Sequence, residues 1–329
     1  MLGPYVHNID PIIGSIAGVH IWWYGLSYAA GFLQMLVYLL RVRQRLSLTR
    51  REVYALTLFV AIGVLVGGRL VEVVFDEWPF YREHPGLIPA IWLGGMATHG
   101  LLAGAAGGAL LFSYVYRKPL LEIADALVIP GAFLMGMGRL GNFIDGQIVG
   151  RATDVAWAVK FPDAPGFRHP VVLYDGAKNL LLIPYLLWVR RTNPTPGAAT
   201  ARFVFWYPFL RFWLDLFRDY PTHRLALGTG QTLNIVMVLI GVMLLVRSRL
   251  RRLGRLAPRQ ARAATAVADG IDVPPSLVQR VAFALVLIVS VTIASNWTQD
   301  VPARYGARHA GLTYSWLYPH IDTAPRATR

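Results

Sequence analysis

The sequence contains no cysteine. Disulfides, thiolate metal sites and a cysteine nucleophile are thereby excluded. Lysine occurs only at 118, 160 and 178, and charged residues make up only 15% of the 329, against roughly 25% in a soluble domain. With 55% hydrophobic residues and a mean hydropathy of +0.45, this is the composition of a membrane protein. There is no P-loop, no His-Glu-x-x-His zinc helix and no Gly-x-Ser-x-Gly nucleophile elbow, so those routes to phosphate and acyl chemistry are not expected. Residues 1–18 lack the basic start of a signal peptide, and no cleavage is expected there. No repeat with a period of tens of residues and no low-complexity tract is visible.

Long apolar runs are what the chain does have. A membrane span needs about 20 mostly apolar residues. The candidates are Ile21–Leu40, Tyr54–Phe75, Ile91–Tyr116, Leu121–Met137, Val171–Trp188, Phe203–Phe217, Thr232–Val246 and Val281–Ala294. The net charge of +14 is carried almost wholly by arginine. Nucleic acid is one reading of such a balance. Loops facing anionic lipid in the cytoplasm are the favoured one, because the basic runs sit between spans.

Those runs fix an expected orientation. Arginines 41, 43, 45, 50 and 51 follow the first span, and Arg117-Lys118 the third. Arg190, Arg191 and Arg202 follow the fifth, and seven arginines from 247 to 262 the seventh. Every second loop is basic, so all four are expected in the cytoplasm, with the N-terminus outside. The loops 76–90, 138–170 and 218–230 then face outward. Arg139, Arg151, Arg168, Arg218 and Arg224 stand against that rule and invite a functional explanation. The chain divides into a membrane domain over 1–247 with an outer head at about 138–170, a basic cytoplasmic linker at 248–278, and an extra span with an outer tail at 279–329. Trp297, Tyr314, Trp316 and Tyr318 are expected to anchor that tail.

The stretch 138–151, Gly-Arg-Leu-Gly-Asn-Phe-Ile-Asp-Gly-Gln-Ile-Val-Gly-Arg, follows a long apolar run. Arg139 and Asn142 are three apart and share a helical face. Gly138, Gly141, Gly146 and Gly150 permit close approach of backbone to a ligand or partner. A cationic, amide-bearing helix end at a membrane boundary suits a lipid phosphate. Arg218 ends the sixth span at a similar depth, and two guanidiniums can clamp one phosphate. Each arginine taken singly also reads as a snorkelling side chain.

Further residues carry weaker signals. His99 lies in the third apolar run, where an ionisable group is a functional candidate; a neutral histidine bonded to a carbonyl is equally open. Tyr24, in Trp22-Trp23-Tyr24-Gly25, reads first as an aromatic-belt residue. Arg69 has Glu72 at i+3, a possible ion pair in lipid. Asp125 reads as the partner of a loop arginine. Arg168-His169-Pro170 with Tyr174 and Asp175 marks a loop-to-helix entry.

In order and spacing these motifs resemble the bacterial phosphatidylglycerol–prolipoprotein diacylglyceryl transferases over about residues 15–247. Gly138 to Phe143 with Gly150-Arg151 is similar to the family signature. Trp23-Tyr24-Gly25, Gly68-Arg69, His99-Gly100, Asp125, Arg168-His169-Pro170 with Leu173-Tyr174, Leu210-Arg211-Phe212 with Phe217-Arg218, and Gly230-Gln231 follow the family's order. The resemblance implies an all-α integral membrane bundle of seven helices, here with a probable eighth, and a small periplasmic head. It implies transfer of diacylglyceryl from phosphatidylglycerol to the lipobox cysteine of a prolipoprotein, with no cofactor and no metal. In that reaction Arg139 and Arg218 hold the phosphate, and His99 is the candidate base. Tyr24, Asn142, Gly100, Gly141, Asp145, Gln147 and Gly150 line the substrate, while Arg69, Asp125, Arg151, His169 and Tyr174 have structural or open roles. The family usually has Asn-Gly-Glu where this chain has Asp145-Gly146-Gln147, and glutamate at Asp175. These differences bear on acceptor choice and activity. A paralogous transferase with another acceptor, or a lipid-binding or transport protein of the same fold, are the alternative readings.

Overall fold

The computed structural model describes residues 4–219, 229–254, 272–295 and 297–322. Parts of the expected 218–230 loop, including Arg224, of the linker and of the tail lie outside the described residues. Each of the eight apolar runs gives a helix: α1 (Trp23–Val42), α2 (Arg50–Val71), α4 (Thr98–Val115), α5 (Leu120–Ile144), α6 (Val171–Thr192), α7 (Ala198–Leu214), α8 (Thr229–Arg252) and α9 (Leu277–Val291). Two short helices, α3 (Trp78–Tyr81) and α10 (Val301–Tyr305), sit between or beyond them. Five of the helices are long and apolar enough to cross a membrane, in α1, α2, α4, α5 and α8. The buried Asp175, Lys178 and Asn179 make α6 more polar, and α7 and α9 are short, at 17 and 15 residues. The chain is an all-α, multispan membrane bundle.

The helices begin where local chemistry favours a start. Thr49 and Glu52 form a reciprocal capping box at α2, and Ser276 and Gln279 do the same at α9, satisfying backbone donors that have no helical partner. Pro130, Pro184 and Pro208 lie inside α5, α6 and α7, where neighbouring helices tolerate the missing hydrogen bond. α2 and α4 touch along glycines. A Cβ on Gly63 or Gly104 would come within 2.3 or 1.9 Å of the other's carbonyl oxygen, and Gly67 and Gly100 face each other in the same way. Four-residue spacing of small residues lets backbones close up where lipid supplies no hydrophobic drive.

The basic loops after the first, third and fifth spans gather at one end of the bundle. Lys118 bonds the Ser47 carbonyl at 2.7 Å and Glu52 at 2.9 Å. Asp272, ahead of α9, bridges Arg43 and Arg50. Asp125 accepts from the Gly197 and Thr200 N–H groups and the Thr200 hydroxyl, fixing the start of α7, and the loop arginine within its electrostatic reach is Arg190.

The opposite end carries an irregular head. A hairpin pairs β2 (Ile12–Ile16) with β3 (Val19–Trp22) through a turn with positive φ at Ala17 and Gly18. β1 (Tyr5–Val6) lies parallel to β4 (Val159–Lys160). Beneath them a core of Ile12, Trp22, Leu93, Val301, Tyr305 and Tyr318 joins the first residues, the segment after α3 and the segment after α9. The head thus extends well beyond 138–170. Within the tail, Trp316 is exposed as expected of an anchor, whereas Tyr318 is buried and its hydroxyl accepts the His20 N–H.

Candidate active site

The segment read as a Gly-rich helix end remains helical to Ile144. At Gly141 a Cβ would lie 2.7 Å from the Tyr24 Cα, so α1 and α5 touch at this level. Tyr24 is correspondingly a core residue, not a belt residue; it is 6% exposed and its hydroxyl meets that of Tyr28 at 3.0 Å. Trp23, 40% exposed, has the lipid-facing position. Gly100 and Gly141, expected beside substrate, lie at close helix contacts, with Gly67 and Tyr24 respectively.

Arg139 therefore projects from a rigid helix. Its Nε lies 2.6 Å from an Asp175 carboxylate oxygen, its Nη1 donates to Asn142 Oδ1 at 3.0 Å, and its Nη2 reaches the Thr98 hydroxyl at 3.4 Å. Asp175 also receives Lys178 Nζ at 2.9 Å and the Arg211 guanidinium. Arg211 Nε then bridges to Asp215 at 3.1 Å, and Asp215 pairs with Arg218 at 3.4 Å and with the Asn234 amide at 3.3 Å. A continuous chain, Arg139–Asp175–Arg211–Asp215–Arg218, links the two arginines expected to clamp a phosphate. Both carboxylates are buried. With Lys178 the chain holds four cations and two carboxylates, a formal excess of two positive charges.

The backbone of Arg218 is fixed by the 150–151 and 168–169 segments. Gly150 bridges Arg218, Arg151 N–H donates to the Phe217 carbonyl at 2.8 Å, and the Arg151 side chain donates to the Arg218 carbonyl. A Cβ on Gly150 would fall 2.5 Å from the His169 carbonyl oxygen, so glycine is required for this approach. His169 Nδ1 meets the Tyr174 hydroxyl at 3.2 Å, and Arg168 pairs with Asp219 at 2.6 Å. Gly150, Arg151, His169 and Tyr174 thus support Arg218 from behind.

His99 does not lie in mid-span. Gly94 and Gly95, with φ of +98° and +92°, break the third apolar run, and α4 begins at Thr98. His99 is half-buried in the first turn, within electrostatic reach of Arg211 and Asp215. The carbonyl-bound histidine is instead His7, whose Nε2 lies 2.7 Å from the Phe143 carbonyl oxygen; burial lowers its pKa, keeping it neutral. Arg69 lies within electrostatic reach of Glu72, its expected i+3 partner. It donates to the carbonyls of Leu87, Ile88, Ala90, Gly94 and Gly95 and to the Thr298 hydroxyl, so it organises the segment that enters α4.

An apolar groove of about 100 Å³ between α1, α2, α4 and α5 opens beside Arg139 and Asn142. Phe32, Met35, Val60 and Leu101 line its deep part, and Thr98, Arg139 and Asn142 its polar end. Cation and amide at one end of an apolar slot match an amphiphile with an anionic head. No group of three or more metal-ligating side chains occurs among the described residues.

Asp145 and Gln147, the positions that depart from the resembled signature, point away from Arg139 toward the segment after α9. Asp145 is fully buried, and its Oδ2 accepts the Ser295 N–H at 3.2 Å. Burial raises its pKa to about 8, so it is largely protonated at neutral pH. Gln147 donates to the Tyr305 hydroxyl at 3.2 Å. Asp175, Lys178, Arg211, Asp215 and Asn234 had no place among the expected site residues. The signal of the first four was charge within apolar runs, with Asp175/Lys178 at i+3 and Arg211/Asp215 at i+4, whereas the neutral Asn234 had none.

Residues 11–247 match the family model for prolipoprotein diacylglyceryl transferase. The phosphatidylglycerol–prolipoprotein diacylglyceryl transferase of Pseudoalteromonas atlantica is 34% identical over 274 residues, covering 79% of this chain and 97% of its own. That of Nitrosomonas europaea is 37% identical over 248 residues, covering 72% and 89%. That of Aromatoleum aromaticum is 37% identical over 257 residues, covering 74% and 96%. The ordered motifs, the membrane bundle and these matches over most of its length place the chain in the prolipoprotein diacylglyceryl transferase family.

Proposed function

We propose that this protein transfers the diacylglyceryl group of phosphatidylglycerol to the lipobox cysteine thiol of prolipoproteins and releases glycerol phosphate. The observation that carries this reading is the charge chain that runs from Arg139, at the polar end of an apolar groove, to Arg218. The acyl chains enter the groove, and the phosphate meets Arg139 and Asn142. The thiol sulfur attacks the glyceryl carbon, a C–S bond forms, and the C–O bond to phosphate breaks with its electron pair leaving on oxygen. A phosphodiester with one negative charge becomes a monoester with two. The formal excess of two positive charges in the chain matches that product and stabilises the charge as it grows, in a setting where preorganised charge is worth most. Arg139 and Arg218 leave their carboxylate partners in part to do so. His99, at the mouth of α4, takes the thiol proton.

The protein is a multi-pass bacterial membrane protein. The basic end of the bundle faces the cytoplasm and the head the periplasm, with the N-terminus outside the inner membrane; the loop charges support this orientation. Expression in a bacterium depleted of its own transferase tests the function. Restored growth with lipidated precursors is expected. Unmodified precursors, despite membrane insertion of the protein and binding of phosphatidylglycerol, would assign it to the lipid-binding alternative.

A further inference from the structure

Residues 248–329 lie beyond the family match, yet the segment after α9 is built into the site. α9 seats against α1 so closely that a Cβ on Gly25 would lie 2.4 Å from the Ser290 carbonyl oxygen. The chain then turns into the head, and Ser295 is fully buried beside the end of α5. The Asn142 amide N–H donates to Ser295 Oγ at 2.6 Å, while Asn142 Oδ1 accepts from Arg139 at 3.0 Å. Ser295 is itself held on two sides. Its N–H goes to Asp145, and its carbonyl accepts from Gln299 Nε2 at 3.0 Å. Gln299 and Gln147 both donate to the Tyr305 hydroxyl, and Arg308 donates to the Asp145 carbonyl at 2.9 Å.

An asparagine amide has an acceptor end and a donor end, and its neighbours decide which way it turns. Arginine is a donor only, so Arg139 needs the oxygen of Asn142. The hydroxyl of Ser295 takes the other end and holds the amide in that sense. Without it the Asn142 NH₂, on a side chain only 3% exposed, loses the partner shown here. The reversed amide then presents N–H groups to a guanidinium.

We propose that Ser295 is a positioning residue of the site: through Asn142 it sets the orientation of Arg139, so that the C-terminal extension completes the phosphate-binding end of the groove. This inference rests on Arg139 being the group that meets the lipid phosphate. It gives Asp145, Gln147, Gln299, Tyr305 and Arg308 a shared task, which is to fasten the Ser295 segment against α5.

A double-mutant cycle in the full chain tests it, read both as phosphatidylglycerol binding in detergent and as transfer to a lipobox peptide. Losing one buried hydrogen bond corresponds to about a three- to tenfold effect. Ser295→Ala is expected to weaken binding and lower kcat/KM by that factor, and Ser295→Thr, which keeps the hydroxyl, to restore both. In an Asn142→Ala background Ser295→Ala is expected to add less than about twofold, because contacting residues are non-additive. Unchanged binding and transfer in Ser295→Ala, or a full additive loss on top of Asn142→Ala, overturns the proposal. A wild type that binds lipid but transfers nothing refutes the proposed activity alone, and the cycle read on binding still decides the role of Ser295. A wild type that binds no phosphatidylglycerol overturns both.

Discussion

Asp175→Asn is the most informative single substitution, because Asp175 holds three cations at once. Arg139 and Lys178 lie 2.6 and 2.9 Å from its oxygens, Arg211 pairs with it too, and its side chain is 1% exposed. Asparagine keeps the shape and removes the charge, raising the excess in the named chain from two to three. Removing one member of a buried ion pair costs about 3–5 kcal/mol, and three cations share this one. The variant is expected to lose about that much stability, followed by tryptophan fluorescence during denaturation in detergent. Free glycerol phosphate is then expected to return part of it. At a concentration 100 times its dissociation constant a ligand adds about 2.7 kcal/mol, and the variant, with more uncompensated charge, is expected to bind the anion more tightly than wild type. A loss under about 1 kcal/mol, or no response to the anion in either protein, would refute the view that Asp175 occupies the charge vacated for phosphate.

Other substitutions probe separate parts of the account. His99→Asn is expected to slow transfer by about 100-fold or more while leaving phosphatidylglycerol binding intact, as for loss of a general base; an unchanged rate excludes His99 from that role. Asp145→Asn tests the buried carboxyl. Its pKa rises from 3.8 to about 8 on folding, so the folded protein keeps a proton that the unfolded chain releases, and stability falls as pH rises from about 4 to 8. The variant is expected to be more stable than wild type at pH 9, with the difference vanishing near pH 4; a pH-independent difference contradicts this. Gly104→Val places a branched side chain where a Cβ already lies 1.9 Å from the Gly63 carbonyl oxygen. It is expected to separate α2 from α4 and lower the yield of folded protein sharply, and a thermal midpoint equal to wild type would argue against the close packing.

Much of this fold was legible because lipid makes apolar length a direct signal. All eight runs became helices, and the basic loops after the first, third and fifth spans gather at one end. The errors lie where tertiary contact overrides local pattern. Two glycines with positive φ cut the third run at Gly94-Gly95 and moved His99 from mid-span to a helix mouth. The fourth run was expected to stop at Met137, yet α5 continues to Ile144, with Gly141 packed against Tyr24. Arg139 and Arg218 were readable as candidate phosphate ligands from their type and depth. Their connection was not, because it passes through Asp175 and Arg211, 36 residues apart in sequence. The same holds for Ser295 and Asn142, separated by 153 residues. No local spacing reports such a pair, and the extension therefore read as a linker, an extra span and an outer tail with no part in the site.

The central claim is that the Arg139–Arg218 chain serves a transfer from lipid phosphate to thiol. The most direct measurement incubates the purified full chain with phosphatidylglycerol and a lipobox peptide, and weighs the peptide by mass spectrometry while measuring released glycerol phosphate. A diacylglyceryl thioether and glycerol phosphate in equal amounts are expected from wild type, with neither from Arg139→Ala or Arg218→Ala protein that still inserts in membranes. A folded wild type that yields no thioether, or arginine variants that transfer at a near-normal rate, would contradict it.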